Sequence, residues 1–302
     1  MVRTMTKKKR DGLFVVGMLL IPMSVFFVFW FLVNVNSILM AFQTSEGRFT
    51  LDTFKLFFEE LRLPDPEGMG ITVAVKNTFI YFAVGFFIKT PLTYLLSFFL
   101  YKKIFMYKYF RVIFFLPSIM PPIVMVSLFS YLVSPEGIIP ELFAMINNVP
   151  IEKVPIFLGD SLYATKTIVA YTLWAGFGVN MLLFNSAMAR IPVEVIESAK
   201  IDGVGFFGEM FYFVIPLTWS TVSTVLMLSV AGIFQSQGPI LLFTQGNFKT
   251  TTIGYWIYAK VTSYSANYEY ASAVGLFFTL IGVPITLGSR WIMNKFNKDL
   301  EF

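Results

Sequence analysis

The chain has 302 residues, of which 56% are hydrophobic, 18% aromatic and only 14% charged. That is too little charge to clothe a soluble surface, so the composition points to an integral membrane protein. With no cysteine and no histidine, a disulfide framework, a thiolate nucleophile, a cysteine metal site and the commonest general base are all excluded.

Residues 1–12 carry Arg3, Lys7, Lys8, Lys9 and Arg10, and an apolar run follows at 13–42. A signal peptide also starts basic, but this run exceeds the usual apolar region of one and shows no small-residue cleavage site. It predicts a retained first span, long enough to tilt or protrude. Residues 43–75 are polar, with Glu46, Asp52, Glu59, Glu60, Asp65 and Glu67 around an amphipathic stretch at 54–63, and read as an external loop carrying a short surface helix. A second span is predicted at 77–100, interrupted by Lys89, Thr90 and Pro91. An intramembrane lysine is a functional candidate by default, with snorkelling, a water-lined cavity or a helix end as structural alternatives.

The turn 101–111 holds Lys102, Lys103, Lys108 and Arg111 and no acid, and a third span follows at 112–133 with Pro117, Pro121 and Pro122 inside it. Each proline removes a backbone donor, so this span is predicted to kink, either lining a pathway or for structural reasons alone. Residues 134–166 form a second polar loop with Glu136, Glu141, Glu152 and Asp160 and a short helix at 140–146. On the fourth span, 168–188, Gly176 and Asn180 lie four apart and share a helix face, while Trp174, Gly178 and Asn185 fall near a neighbouring one. A charged amphipathic segment at 191–217 leads into a fifth span at 213–234, with Pro216 in its first turn. The third loop, 235–270, opens with Gln235 and Gln237, has an apolar stretch at 240–243 able to dip toward the membrane, and carries Tyr255, Trp256 and Tyr258. The sixth span is 271–293, followed by Lys295 and Lys298.

Six spans with both termini cytoplasmic fit the placement of basic residues. The inner segments 1–12, 101–111, 190–212 and 290–302 then hold 14 Lys and Arg, and the longer outer loops hold eight. The fold expected is all-α, one polytopic transmembrane domain over 1–302, with the segment 191–212 in the cytoplasm. There Pro192, Glu194 and Glu197 suit a helix start. Ile196, Ala199 and Ile201 offer an apolar patch, and Gly203 and Gly205 permit a sharp turn into a second short helix. The acids Glu194, Glu197, Asp202 and Glu209 outnumber Arg190 and Lys200. A connector lying on anionic lipid would favour the opposite balance, so a soluble partner is the better reading. No phosphate loop of the form G-x-x-x-x-G-K-S/T occurs, no nucleophile with a base and no metal-ligand cluster is found, and the spans hold almost no ionisable group besides Lys89. An intramembrane enzyme and an ion-coupled secondary transporter are thereby disfavoured.

The pattern Glu197-Ser198-Ala199, three residues, Gly203, nine residues, Phe213, one residue, Ile215-Pro216 resembles the EAA loop of bacterial ABC importer permeases. That loop is written Glu-Ala-Ala, x3, Gly, x9, Ile, x, Leu, Pro. Spacing is kept throughout; Ser198, Phe213 and Ile215 are the departures. The stretches 109–124, 134–143, 173–192 and 268–285, with 76–84, are similar to blocks of the MalF-type half of sugar importers. The resemblance implies a six-helix permease of the bacterial cytoplasmic membrane, pairing with a second homologous permease, two cytoplasmic ATPase subunits and an extracytoplasmic solute-binding protein. It also implies that ATP and Mg bind the partner ATPase, with no cofactor on this chain and no nucleic acid involved. Glu197, Ser198, Ala199, Asp202, Gly203 and Pro216 would couple the chain to the ATPase. The cargo implied is a sugar or oligosaccharide, with a polyol or glycerol phosphate as the alternative. A sugar asks for aromatic faces and amides near the midplane, so Trp174, Asn180, Gln235, Gln237, Tyr255 and Trp256 are the substrate-pathway candidates.

Overall fold

The computed structural model describes residues 7–44, 46–63, 70–235 and 238–297, so Gln237 lies outside the described residues. Among them there is no β-strand, and a lone bridge between Gln43 and Phe49 closes a turn. Among the described residues, five helices are long and apolar enough to cross a membrane: Phe14–Met40, Ile71–Tyr101, Pro122–Asn147, Ala164–Met188 and Tyr268–Phe296. A sixth span forms if Phe206–Leu217 and Trp219–Ala231, bent by 75°, are taken together. The result is an all-helical polytopic membrane fold, in which each span satisfies its backbone groups within its own segment.

The chain divides into two compact units, Met1–Glu59 with Lys260–Phe277, and Glu60–Ala259 with Phe278–Phe302. In the first, every residue from Phe14 to Leu39 is exposed, as suits a helix that is apolar all round and meets lipid or another chain. Its end is tied down by Thr53 Oγ1, which donates to the Ala41 carbonyl at 3.1 Å, and by Phe42 stacking on Phe49. A short helix, Asp52–Glu60, follows, with Phe57 fully buried against Phe277.

In the second unit proline acts in two different ways. Pro91 cannot donate to the Phe87 carbonyl, nor Pro216 to that of Tyr212, yet the helix runs on through both. A wider π turn lies just upstream of each, at Val84–Lys89 and Met210–Val214, and absorbs the missing bond. A third π stretch, Phe26–Leu32 in the first unit, has no such proline after it. The tandem Pro121-Pro122 instead breaks the chain. Met120 and Pro121, each preceding a proline, sit in extended backbone with ψ of 147° and 135°. The single kinked span expected at 112–133 is therefore two helices, Tyr107–Ile119 and Pro122–Val133, and the second leads through 134–137 into Ile138–Asn147.

The fourth span is interrupted at Gly176 and Phe177, between Ala164–Ala175 and Gly178–Met188. A Cβ on Gly178 would collide with the Ser118 hydroxyl, so this glycine is what lets the helix Tyr107–Ile119 approach. The fifth span starts earlier than expected, at Phe206, and Pro216 lies just before its bend at Thr218 rather than in its first turn. The bend is anchored: Thr218 Oγ1 donates to the Val214 carbonyl at 2.7 Å and meets the Tyr94 hydroxyl at 2.7 Å. The loop expected at 235–270 is largely structured. Ile240–Phe243 and Ile253–Thr262 are helical, and between them the Lys249 and Thr251 carbonyls accept from the buried Asn77 amide at 2.7 and 2.9 Å.

Candidate functional site

The acidic segment is a helix, Val193–Ile201, with Pro192 at its N-cap and Glu194 in its first turn, where the helix dipole favours an anion. It ends in a complete Schellman motif: the Gly203 amide donates to the Lys200 carbonyl and the Val204 amide to that of Ala199, both at 3.1 Å. Gly203 has φ +78°, and nothing lies within 4 Å of where its Cβ would be. Glycine is thus required by backbone conformation and not by crowding. Gly205, at φ −73°, makes no such demand.

Two faces separate cleanly. Ile196 and Ala199 are buried, Ile196 in a core with Tyr94, Phe98, Phe184, Met188, Met210 and Val214. Glu194, Glu197, Ser198, Asp202 and Gly203 are exposed. Two expectations change here. Ile201 does not join the inner patch; it lies about 140° round the helix from Ile196 and is 86% exposed beside the acids. Glu209 does not belong to the acidic face. Its carboxylate is buried and takes a 2.7 Å hydrogen bond from Lys102 Nζ, leaving Oε1 without a partner. This pair fastens the start of the fifth span to the basic turn after the second. Only the excess of acids in the segment pointed toward Glu209; no local signal marked it as buried.

The substrate-pathway candidates are dispersed. Trp174 is partly exposed and stacks on Phe129 at 6.2 Å in an aromatic group with Tyr171 and Phe243. Gln235 is exposed and Asn180 half-buried. Tyr255 and Trp256 are buried, with Tyr255 packed on the preceding turn, its Cε1 only 2.5 Å from the position a Gly246 Cβ would take. What the structure does gather is a cavity of about 240 Å³ with a mixed wall, in which the polar groups of Thr78, Tyr81, Lys89, Thr172 and Ser229 stand among apolar ones such as Phe82, Phe86 and Ile233. A larger cavity of about 670 Å³, between the second and fifth spans, is lined almost entirely by apolar groups, among them Phe87, Leu95, Phe184, Phe211 and Trp219.

Residues 70–301 match the model of a family described as "Binding-protein-dependent transport system inner membrane component". The chain belongs to that family. Protein LplB of Bacillus subtilis (strain 168) is 29% identical over 147 residues, 47% of this chain and 46% of LplB, so the match spans about half the length of that relative. The lactose transport system permease protein LacF of Rhizobium radiobacter is 27% identical over 214 residues, 69% of this chain and 71% of LacF. A crystal structure of a bacterial alginate ABC transporter in complex with alginate pentasaccharide-bound periplasmic protein contains a chain with a TM-score of 0.81. That likeness covers 96% of each chain at 20% identity, and shows the fold.

For this inner membrane component, the family match takes in both the acidic helix and the Lys89 cavity and leaves out the first span, Phe14–Met40. The residues that sequence reasoning missed, Tyr81, Thr172 and Ser229, come from three different helices. Only packing brings them to one wall.

Proposed function

We propose that the chain is a permease subunit of an ATP-driven importer in the bacterial cytoplasmic membrane, carrying a sugar or oligosaccharide handed over by an extracytoplasmic binding protein. Both termini and the segment 191–217 lie on the cytoplasmic side, the side favoured by the placement of Lys and Arg. ATP and Mg bind two partner ATPase subunits, and a second, homologous permease completes the pathway. The names of LacF and the alginate transporter support a saccharide cargo and a periplasmic donor.

The observation that carries the reading is the two-sided helix Val193–Ile201. One face is anchored in the chain's own core through Ile196 and Ala199; the other offers Glu194, Glu197, Asp202 and the exposed Ile201 to solvent. An element rigidly seated on one side and unpartnered on the other can transmit a push. The ATPase must contact it differently in its open and closed states, because a partner that binds both equally shifts nothing.

The test is co-purification through a tag on this chain, followed by ATPase assay in proteoliposomes with binding protein and saccharide. We expect an ATPase to be recovered and its turnover to rise when both are added. Recovery of the folded chain with no ATPase would overturn the proposal.

A further inference from the structure

We infer that the cavity beside Lys89 is an anion-recognising subsite of the pathway, and that the saccharide passing through it carries a carboxylate, as a uronic-acid oligosaccharide does. This rests on the chain being a saccharide permease and adds the class of saccharide.

Lys89 lies near the middle of the 31-residue helix Ile71–Tyr101, and among the described residues its ammonium has no anionic partner. Its side chain does not run freely toward the interface. It lies across Gly176, where a Cβ would come within 3.1 Å of Lys89 Cδ and 3.3 Å of Nζ. The interruption of the fourth span at Gly176 thus provides the notch that seats the lysine at the cavity wall. A half-buried cation held in place without a counter-charge is a costly feature in a membrane, and such groups mark pathways.

The rest of the wall says which ligand would answer it. Thr78, Thr172 and Ser229 already donate their hydroxyl protons to the carbonyls of Ala74, Ile168 and Val225, and Thr78 also accepts from the Ile253 amide at 2.9 Å, so toward the cavity these three have only remaining lone pairs to offer. The Tyr81 hydroxyl is buried and has no partner. Of the Thr78, Tyr81, Lys89, Thr172 and Ser229 side chains, those with a donor left to spend are the Lys89 ammonium and the Tyr81 phenol, and among the described residues no carboxylate lines the cavity. A neutral sugar would leave the ammonium uncompensated. A carboxylate can accept from both donors with its two oxygens, while ring hydroxyls donate to the Thr and Ser lone pairs. Irregular backbone also converges here: the π turn Val84–Lys89, the break after Ala175 and the end of Trp219–Ala231, as is tolerated at membrane depth where backbone lines a cavity.

The experiment uses the complete importer, purified through this chain with its second permease and ATPases, in proteoliposomes with its binding protein. ATP-driven uptake is measured for labelled digalacturonate and dimannuronate and for the neutral galactobiose and mannobiose, with calorimetric titration of each on the binding protein alone. We expect a diuronate to be carried, Lys89→Met to lower its uptake at least about tenfold, and Lys89→Arg to retain most of it. Binding-protein affinity should not change. Uptake of the neutral disaccharides alone would overturn the inference and leave the permease reading standing. So would a Lys89→Met variant that carries a diuronate at the wild-type rate, or one that loses neutral and acidic cargo equally, which would mark Lys89 as a structural or subunit-contact residue. If none of the four sugars enters in an ATP-dependent way, the inference is overturned; the permease reading falls only if no ATPase is recovered with the chain.

Discussion

Removing Lys102 leaves the Glu209 carboxylate in place with nothing to answer it. The glutamate side chain is 3% exposed and the lysine 18%, at 2.7 Å, and the second carboxylate oxygen is already unpartnered. Breaking a buried pair from one side costs about 3–5 kcal/mol, because the orphaned charge cannot be resolvated. The lower end applies here, since Lys102 keeps some contact with solvent, so Lys102→Met should destabilise by about 3 kcal/mol. In a protein of this size that is a fall in melting temperature on the order of 5–10 °C. Replacing both members, Lys102→Met with Glu209→Gln, removes the orphan and should recover about 2 kcal/mol of the loss. The assay is a double-mutant cycle by thermal unfolding in detergent, followed through tryptophan fluorescence. If Lys102→Met melts within a degree or two of wild type, or the double variant is as unstable as the single, the pair does not hold the fifth span to the basic turn.

Other substitutions separate conformation from crowding. Gly203→Val must hold a β-branched residue at φ +78°, costing about 1–2 kcal/mol; we expect normal membrane insertion but loss of saccharide-stimulated ATPase, measured side by side in proteoliposomes. Ala199 is 1% exposed and Ser198, next to it, is exposed. Ala199→Leu should therefore cost about 1–3 kcal/mol by overpacking, whereas Ser198→Leu should leave the melting temperature unchanged and alter only ATPase recovery on co-purification. Gly178→Ala drives a methyl into the Ser118 hydroxyl and should lower the melting temperature, with Ser118→Gly restoring part of it.

Membrane spans are legible in a sequence because lipid forces each one to satisfy its backbone alone, which requires a long apolar run whatever the rest of the chain does. The glycine at 203 was legible for a related reason: a Schellman cap is closed by residues within five positions of one another. The two-sidedness of Val193–Ile201 was legible in part. Spacing alone puts Ile196 and Ala199 on one side, but the angle that sends Ile201 outward matters only once the core is known to face Ile196. Proline was ambiguous. Pro91 and Pro216 are absorbed by a π turn while Pro121-Pro122 breaks the helix, and the difference rests on the tandem pair restricting two successive residues.

By itself, then, the sequence determined the class of molecule, the clustering of basic residues in particular connecting segments and the existence of an acidic, glycine-capped helix, because each is a property of a contiguous stretch. Tertiary structure alone decided that Glu209 faces inward to Lys102, 107 positions away, and that Tyr255 and Trp256 are buried packing residues. It also decided that Lys89 rests on Gly176 beside Tyr81, Thr172 and Ser229. Those relations join residues on different helices, and no periodicity within one helix encodes which neighbour it will meet.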